Sequence, residues 1–126
     1  MTAREALDRV LKAAEQPSAH ILIVVMHRVV ETEIRDQILA RVPGAEFRAA
    51  SHGILFKTGS WVTFLIARSA RPDSLAGNQF ALSWAHDLGD LIDSACTGWL
   101  ANLRVVTRAG DAPAVLISED PTPRRP

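Results

Sequence analysis

The apolar residues Ala6, Leu7, Val10, Leu11 and Ala14 recur at i, i+1, i+4, i+5 and i+8, which places them on one face of a helix running from Thr2 to Gln16. Pro17 and Ser18 stop it. The run His20-Ile-Leu-Ile-Val-Val-Met26 shows no polar alternation and is rich in β-branched side chains, the pattern of a central strand buried on both faces of a parallel sheet. A second amphipathic helix spans about Glu31 to Arg41, with Ile34, Ile38, Leu39 and Val42 inward, and Pro43-Gly44 closes it. Helix, strand, helix is the rhythm of an α/β domain.

The elements then become shorter. Ala45 to Ala49, Gly53 to Thr58 and Trp61 to Ser69 predict short strands, and Gly59-Ser60 between two apolar runs is a hairpin signal. Ala70 to Asn78 predicts a loop, rich in Pro, Asp, Ser and Gly. Phe80 to Ala85 predicts another strand, followed at once by the polar pair His86-Asp87. Leu91, Ile92, Ala95, Trp99, Leu103 and Val106 share one side of a long helix from about Leu88 to Arg108, with Gly110-Asp111 as its stop. Pro113 precedes a last strand, Ala114 to Ser118. Three prolines in the eight residues Glu119 to Pro126 exclude further regular structure. The whole predicts one α/β domain over residues 1–118, a mainly parallel sheet between helices, and a Pro-rich tail over 119–126.

Composition narrows the function classes. At 126 residues there is room for one core, and 48% hydrophobic with 22% charged residues is ordinary for a globular chain. Fourteen basic residues against fourteen acidic ones give a formal net charge of zero, which removes the electrostatic case for a freestanding nucleic-acid or membrane-surface binder. Twelve of the basic residues are Arg, a planar fork for phosphate or carboxylate and equally a common effect of GC-rich coding. Cys96 stands alone, so no internal disulfide or cysteine-rich zinc site can form. The longest apolar run, Ile21 to Met26, is far short of the ~20 residues that span a bilayer, and Glu5 and Asp8 sit where a signal peptide would be apolar. A cytoplasmic protein without membrane or disulfide partners is expected.

Four features bear on chemistry. His86-Asp87 follows an apolar strand, and ligands of open α/β sheets bind at the strands' carboxyl ends; the alternative is that His86 and Asp87 simply begin the next helix, with Asp87 as its N-cap or a first-turn acid. Arg71-Pro-Asp-Ser-Leu-Ala-Gly77 is either a functional loop or a surface turn. Ser118-Glu-Asp-Pro121 again follows a strand, or is a solvated terminus. The four histidines, His20, His27, His52 and His86, show no metal-ligand spacing, so no bound metal is expected. Neither lysine is preceded by glycine, which excludes a Gly-x-x-x-x-Gly-Lys-[Ser/Thr] phosphate loop, and there is no Gly-x-Ser-x-Gly.

Taken in order, Gly59-Ser-Trp-Val-Thr-Phe-Leu-Ile-Ala67 and Arg71-Pro-Asp-Ser-Leu-Ala-Gly-Asn-Gln-Phe-Ala-Leu-Ser-Trp-Ala-His-Asp-Leu-Gly89 resemble the ATPase domain of large terminase subunits, the DNA-packaging motors of tailed bacteriophages. In that family a Gly-Ser hairpin leads into a strand, then a Pro-x-Ser-Leu-Arg-Gly loop, then a Walker B strand ending in Asp-Glu. Trp99-Leu-Ala-Asn-Leu-Arg104, Arg108-Ala-Gly-Asp-Ala-Pro113 and Ala114-Val-Leu-Ile-Ser-Glu-Asp-Pro-Thr-Pro123 are similar to the family's next helix and its strand ending in a Thr-rich coupling motif. Thr2 to Leu11 resembles the helix after the Walker A loop, and Ile21 to Met26 the strand that follows it.

The resemblance implies a P-loop NTPase-like three-layer core whose first strand and Walker A loop are missing. It places Thr2 at the Mg²⁺-binding Thr, Met1 at the phosphate-binding Lys, Ser74, Leu75 and Gly77 in the loop motif, His86 at the Walker B Asp, Asp87 at the catalytic Glu, and Ser118, Glu119 and Asp120 at the coupling triplet. The departures weaken catalysis. Ala76 replaces the loop Arg, imidazole is a poor substitute for a hard oxygen ligand of Mg²⁺, and Asp87 is one methylene shorter than Glu, where about 1 Å of misplacement can cost ~100-fold in rate. The chain alone is expected not to hydrolyse ATP. ATP and Mg²⁺ become its cofactors only if a Walker A segment is supplied, with Asp87 then polarising the attacking water and His86 near the metal. The implied partners are other terminase or packaging subunits and double-stranded DNA, in the cytoplasm of an infected or lysogenic bacterium. The alternative is a non-catalytic interaction module or packaging accessory that keeps the NTPase shape.

Overall fold

A computed structural model describes residues 1–70, 75, 79–89, 99–107 and 114–119. The predicted positions Ser74, Ala76, Gly77 and Asp120, most of the loop at 70–78, and most of the tail lie outside the described residues.

The first helix, α1 (Ala3–Ala14), begins on Thr2, whose hydroxyl oxygen accepts the backbone N–H of Glu5 at 3.1 Å. It buries Ala6, Leu7, Val10 and Ala14, the predicted stripe. The chain reverses into β1 (His20–Val25), in which Ile21 to Val25 are wholly buried. Helix α2 (Arg28–Arg41) starts one turn earlier than predicted, because Val30 also joins the core. Three strands follow: β2 (Glu46–Arg48), β3 (Gly53–Leu55) and β4 (Trp61–Ile66). Both β3 and β4 end before the predicted Thr58 and Ser69. The chain then supplies β5 (Leu82–His86), α3 (Trp99–Val106) and β6 (Val115–Ser118).

These strands form one six-stranded sheet in the order β2-β3-β4-β1-β5-β6. β1 pairs in parallel with β4 on one side and β5 on the other, and β5 pairs in parallel with β6. The β2–β3 and β3–β4 pairings are antiparallel, so the sheet is mixed. The α/β class and the flanking helices agree with the sequence pattern. The long helix expected over 88–108 does not reach its end, since Thr107 forms a parallel bridge with Phe80. Its residues 90–98 lie outside the described ones.

The sheet has a core on each face. Alternate residues Ile21, Ile23 and Val25 of β1 pack with Leu82, Trp84 and Leu116 beneath α1 and α2. Leu22, Val24 and Ala85 pack on the other face with Leu75 and with Trp99, Leu103 and Val106 of α3. Three layers result. Each fully buried Val, Leu or Ile side chain contributes about 1.5–3 kcal/mol, and all five residues Ile21 to Val25 of β1 are buried in this way.

The hairpin signal at Gly59-Ser60 does structural work at the amino end of the parallel strands. Gly59 adopts φ +85°, a left-handed conformation that favours glycine. The buried Ser60 hydroxyl donates to the Gln16 carbonyl at 2.5 Å and accepts the Ala19 N–H at 3.0 Å, tying the hairpin to the α1–β1 turn. Nearby, Trp61 Nε1–H donates to Thr63 Oγ1 at 3.0 Å, and Thr63 Oγ1 lies 3.1 Å from His20 Nε2. The His20 ring also packs 4.7 Å from that of Phe80. Burial of the imidazole holds the His20 pKa below its ordinary value of 6.5.

Two measurements check this architecture. Ile23→Ala is expected to cost about 2–5 kcal/mol in urea unfolding, while Val105→Ala, at a site 75% exposed, should stay within about 0.5 kcal/mol. Because the folded state disfavours charged His20, its contribution is complete above pH 6.5 and is lost as the pH falls below that value. Unfolding midpoints at pH 7.5 and pH 5.5 should therefore differ more for the parent chain than for His20→Gln.

Candidate functional site

The register of the parallel strands sets their carboxyl ends in a row. Val25 pairs with Ile66 on one side and His86 on the other, and His86 pairs with Ser118. From β1 the chain passes toward β4, and from β5 it passes toward β6 on the opposite side, so the ends of β1 and β5 flank the crevice where open α/β sheets bind ligands. His86 is thus the last residue of its strand rather than the first beyond it. Its side chain shares the α1-facing surface with Trp84, two residues back, and with Ser118 of the neighbouring strand.

These three side chains form one buried unit. Trp84 Nε1–H donates to Ser118 Oγ at 2.6 Å, and His86 Nδ1 lies 2.8 Å from the same oxygen. The Trp84 and His86 rings pack 5.5 Å apart. An indole can only donate. The serine oxygen therefore accepts from Trp84, and its remaining hydrogen-bonding capacity is turned to His86 Nδ1. Ser118 is 2% exposed and held on both sides, so it organises the imidazole and is not presented as a nucleophile.

Asp87 follows in a left-handed conformation at φ +55°, with its N–H donating to the Ser118 carbonyl at 2.8 Å. That backbone differs from the extended conformation usual at a helix N-cap, and residues 90–98, where the helix expected after Asp87 would begin, lie outside the described ones. Non-glycine residues at positive φ gather at functional sites, and Asp tolerates this region better than most. Among the described residues the Asp87 carboxylate has no hydrogen-bond or ion-pair partner. Glu119 is exposed beyond Ser118, and Leu75 is buried in the α3-side core.

A cleft of about 520 Å³ opens over this unit, between α1 and α2. Trp84 and His86 form its floor, Ala3, Arg4, Leu7 and Asp8 one wall, and Val30, Glu33, Ile34, Gln37 and Arg41 the other. Ala3 and Arg4 directly follow Thr2, so the head of α1 and the end of β5 border one space. Thr2 itself serves as the helix cap. Arg41 bridges the walls with a 2.9 Å ion pair to Asp8.

His86 is held by Ser118 and offers nitrogen where Mg²⁺ prefers oxygen, so it does not fit the place of a Mg²⁺ ligand. No helix among the described residues is long and apolar enough to cross a membrane.

The cleft walls escaped the sequence reading because Arg4, Asp8, Glu33 and Arg41 look like the solvated faces of two helices, and nothing local says that those faces meet. A second pair escaped it as well. Glu31 of α2 is 1% exposed, and its Oε1 lies 2.5 Å from Nε2 of His52, which adopts φ +54° in the β2–β3 turn. The available signal was a carboxylate inside the stripe formed by Val30, Ile34 and Ile38. Comparison with known protein families, with characterised proteins and with solved structures found no match.

Ser118→Ala takes from the buried Trp84 indole N–H its acceptor and from His86 Nδ1 its contact with the serine, and an orphaned buried polar group costs about 1–3 kcal/mol. Chemical denaturation should show a loss of that order or more, against a change within about 0.5 kcal/mol for Glu119→Ala.

Proposed function

We propose that the chain is a degenerate relative of the terminase ATPase domain, acting in bacteriophage DNA packaging through its shape and its contacts and not by hydrolysing ATP alone. One observation carries this reading: His86-Asp87 and Ser118-Glu119 lie side by side at the carboxyl ends of adjacent parallel strands, under a helix whose capped head is Thr2. The family resemblance puts its Walker B pair, its coupling motif and its Walker A helix at these positions. The sequence pattern predicts β5 and β6 only as separate strands; they pair with each other, and α1 packs over both. The substitutions in this sequence remove hydrolysis before they remove the fold.

A second reading, a non-catalytic interaction module, is favoured by the edge of the sheet. Among the described residues β6 pairs only with β5, and Ile117 stands 38% exposed there. Exposed strand edges are ready templates for a partner's backbone.

The coding sequence immediately before Met1 and nucleotide binding together separate these readings. The packaging-motor reading expects an in-frame glycine-rich segment ending in Gly-Lys before Thr2. It also expects saturable affinity of the extended chain for a fluorescent ATP analogue with Mg²⁺, and neither binding nor turnover by residues 1–126 alone. An upstream frame lacking that loop, with a chain that stays monomeric beside terminase subunits and DNA, would end this reading. Saturable Mg²⁺-ATP affinity of the extended chain counts against the module.

A further inference from the structure

The outer side of β6 carries a pattern that a second copy of the chain completes. In the parallel pair with β5, the Ala114 carbonyl accepts the Ser83 N–H at 3.0 Å and the Ser118 carbonyl accepts the Asp87 N–H at 2.8 Å. Residues 114, 116 and 118 therefore turn their backbone groups inward, and Val115, Ile117 and Glu119 turn theirs away from β5. β6 has no second strand neighbour among the described residues. Leu116 packs beneath α1 and α2 and Val115 packs on the α3 side, so alternation puts the Ile117 side chain, 38% exposed, on the α3 side too.

Charge decides what fits against this edge. Helix α1 crosses from the carboxyl end of the sheet, where Arg4 borders His86, to the amino end, where Arg9 and Lys12 share a groove with Ala114. The amino end of β6 thus lies beside two exposed cations, and its carboxyl end bears the exposed carboxylate of Glu119 with Asp87 on the neighbouring strand. Arg4 and Glu5, on the head of α1, carry opposite signs. An edge positive at one end and negative at the other is complementary to itself when reversed, whereas a parallel copy would set like charges side by side. We propose that two copies of the chain join β6 to β6 in antiparallel order about a twofold axis through Ile117, extending both sheets into one. In that register Ile117 exchanges both backbone hydrogen bonds with its counterpart and Val115 faces the other copy's Glu119, so no outward group of β6 is left over. The two Ile117 side chains meet on one face and shield each other. Each Glu119 arrives at the end where the other copy's Arg9 and Lys12 stand. A formal net charge of zero sets no long-range repulsion against the joining of like chains. This association rests on the chain acting as an interaction module, and it supplies that module with its partner.

The test is sedimentation of the full chain at about 0.5 mM, where small and weak interfaces still form, together with amide hydrogen exchange. A dimer is expected, with the Ile117 and Glu119 amides more protected at high concentration than at low. Ile117→Pro removes the central N–H at an edge position that tolerates proline, and should weaken the dimer about tenfold with the monomer's unfolding midpoint retained. Glu119→Arg should weaken it about fivefold, and adding Arg9→Glu and Lys12→Glu to the same chain should restore it, which only the antiparallel order explains. A dimer unaffected by Ile117→Pro and Glu119→Arg, or a triple variant as weak as Glu119→Arg, would overturn the proposal. So would a monomer at that concentration, and exchange then separates two failures. A fast Ile117 amide leaves the edge open and the module reading in place with a different partner; a slow one means that the chain covers its own edge, which ends that reading as well.

Discussion

Everything in this domain is hung on β1. Its five buried residues, Ile21 to Val25, have no solvent on either face and hydrogen-bond partners on both edges, so the strand can exist only if two layers of helix and two parallel neighbours are in place. Backbone groups in such a position must be paired within the protein, because water cannot reach them. The strand therefore dictates the register of β4 and β5. Through β5 it dictates where His86 and Ser118 stand, and the chemistry of the cleft floor is a downstream consequence of an apolar strand's demand for neighbours.

The polar groups that this arrangement buries are satisfied by sharing. Ser118 serves Trp84 and His86, Ser60 serves Gln16 and Ala19, Ser83 lies 2.6 Å from Thr107 between β5 and the end of α3, and Glu31 meets His52. No buried side-chain nitrogen or oxygen is left without a partner among the described residues. Each of these links joins elements distant in sequence, and each would be costly to break on one side only. Apolar packing gives the fold most of its stabilisation, while these contacts restrict it to one registration of its parts. The exposed ion pairs, such as Arg48 with Glu46, add at most about 1 kcal/mol each and do no such positioning.

The sequence was legible where one physical signal dominates. An unbroken β-branched run identified β1, and the i, i+4 spacing identified the inner faces of α1 and α2, because burial imposes periodicity on the residues themselves. It was illegible where the answer depends on which elements meet. Leu39 and Val42 are only partly buried although they continue the α2 stripe, while Glu31 is buried although it interrupts that stripe; the β2–β3 turn, which supplies His52, decides both the carboxylate's partner and its burial. His86 was expected just beyond its strand and closes it instead, since pairing with Val25 and Ser118 extends the ladder by one residue. The antiparallel half of the sheet was visible as short strands, and the β3–β4 pairing as the Gly59-Ser60 hairpin signal, but the pairing of β2 with β3 was not.

The two ends of the sheet differ in kind. At one end, β2 is three residues long and turns the exposed charges of Glu46 and Arg48 outward, joined to each other at 3.0 Å. At the other, β6 presents the apolar Ile117. A charged, short edge resists a visiting strand, and an apolar one receives it. Among the described residues the sheet therefore offers a visiting strand a receptive end at β6 and a resisting one at β2, which gives any extension of the sheet a direction.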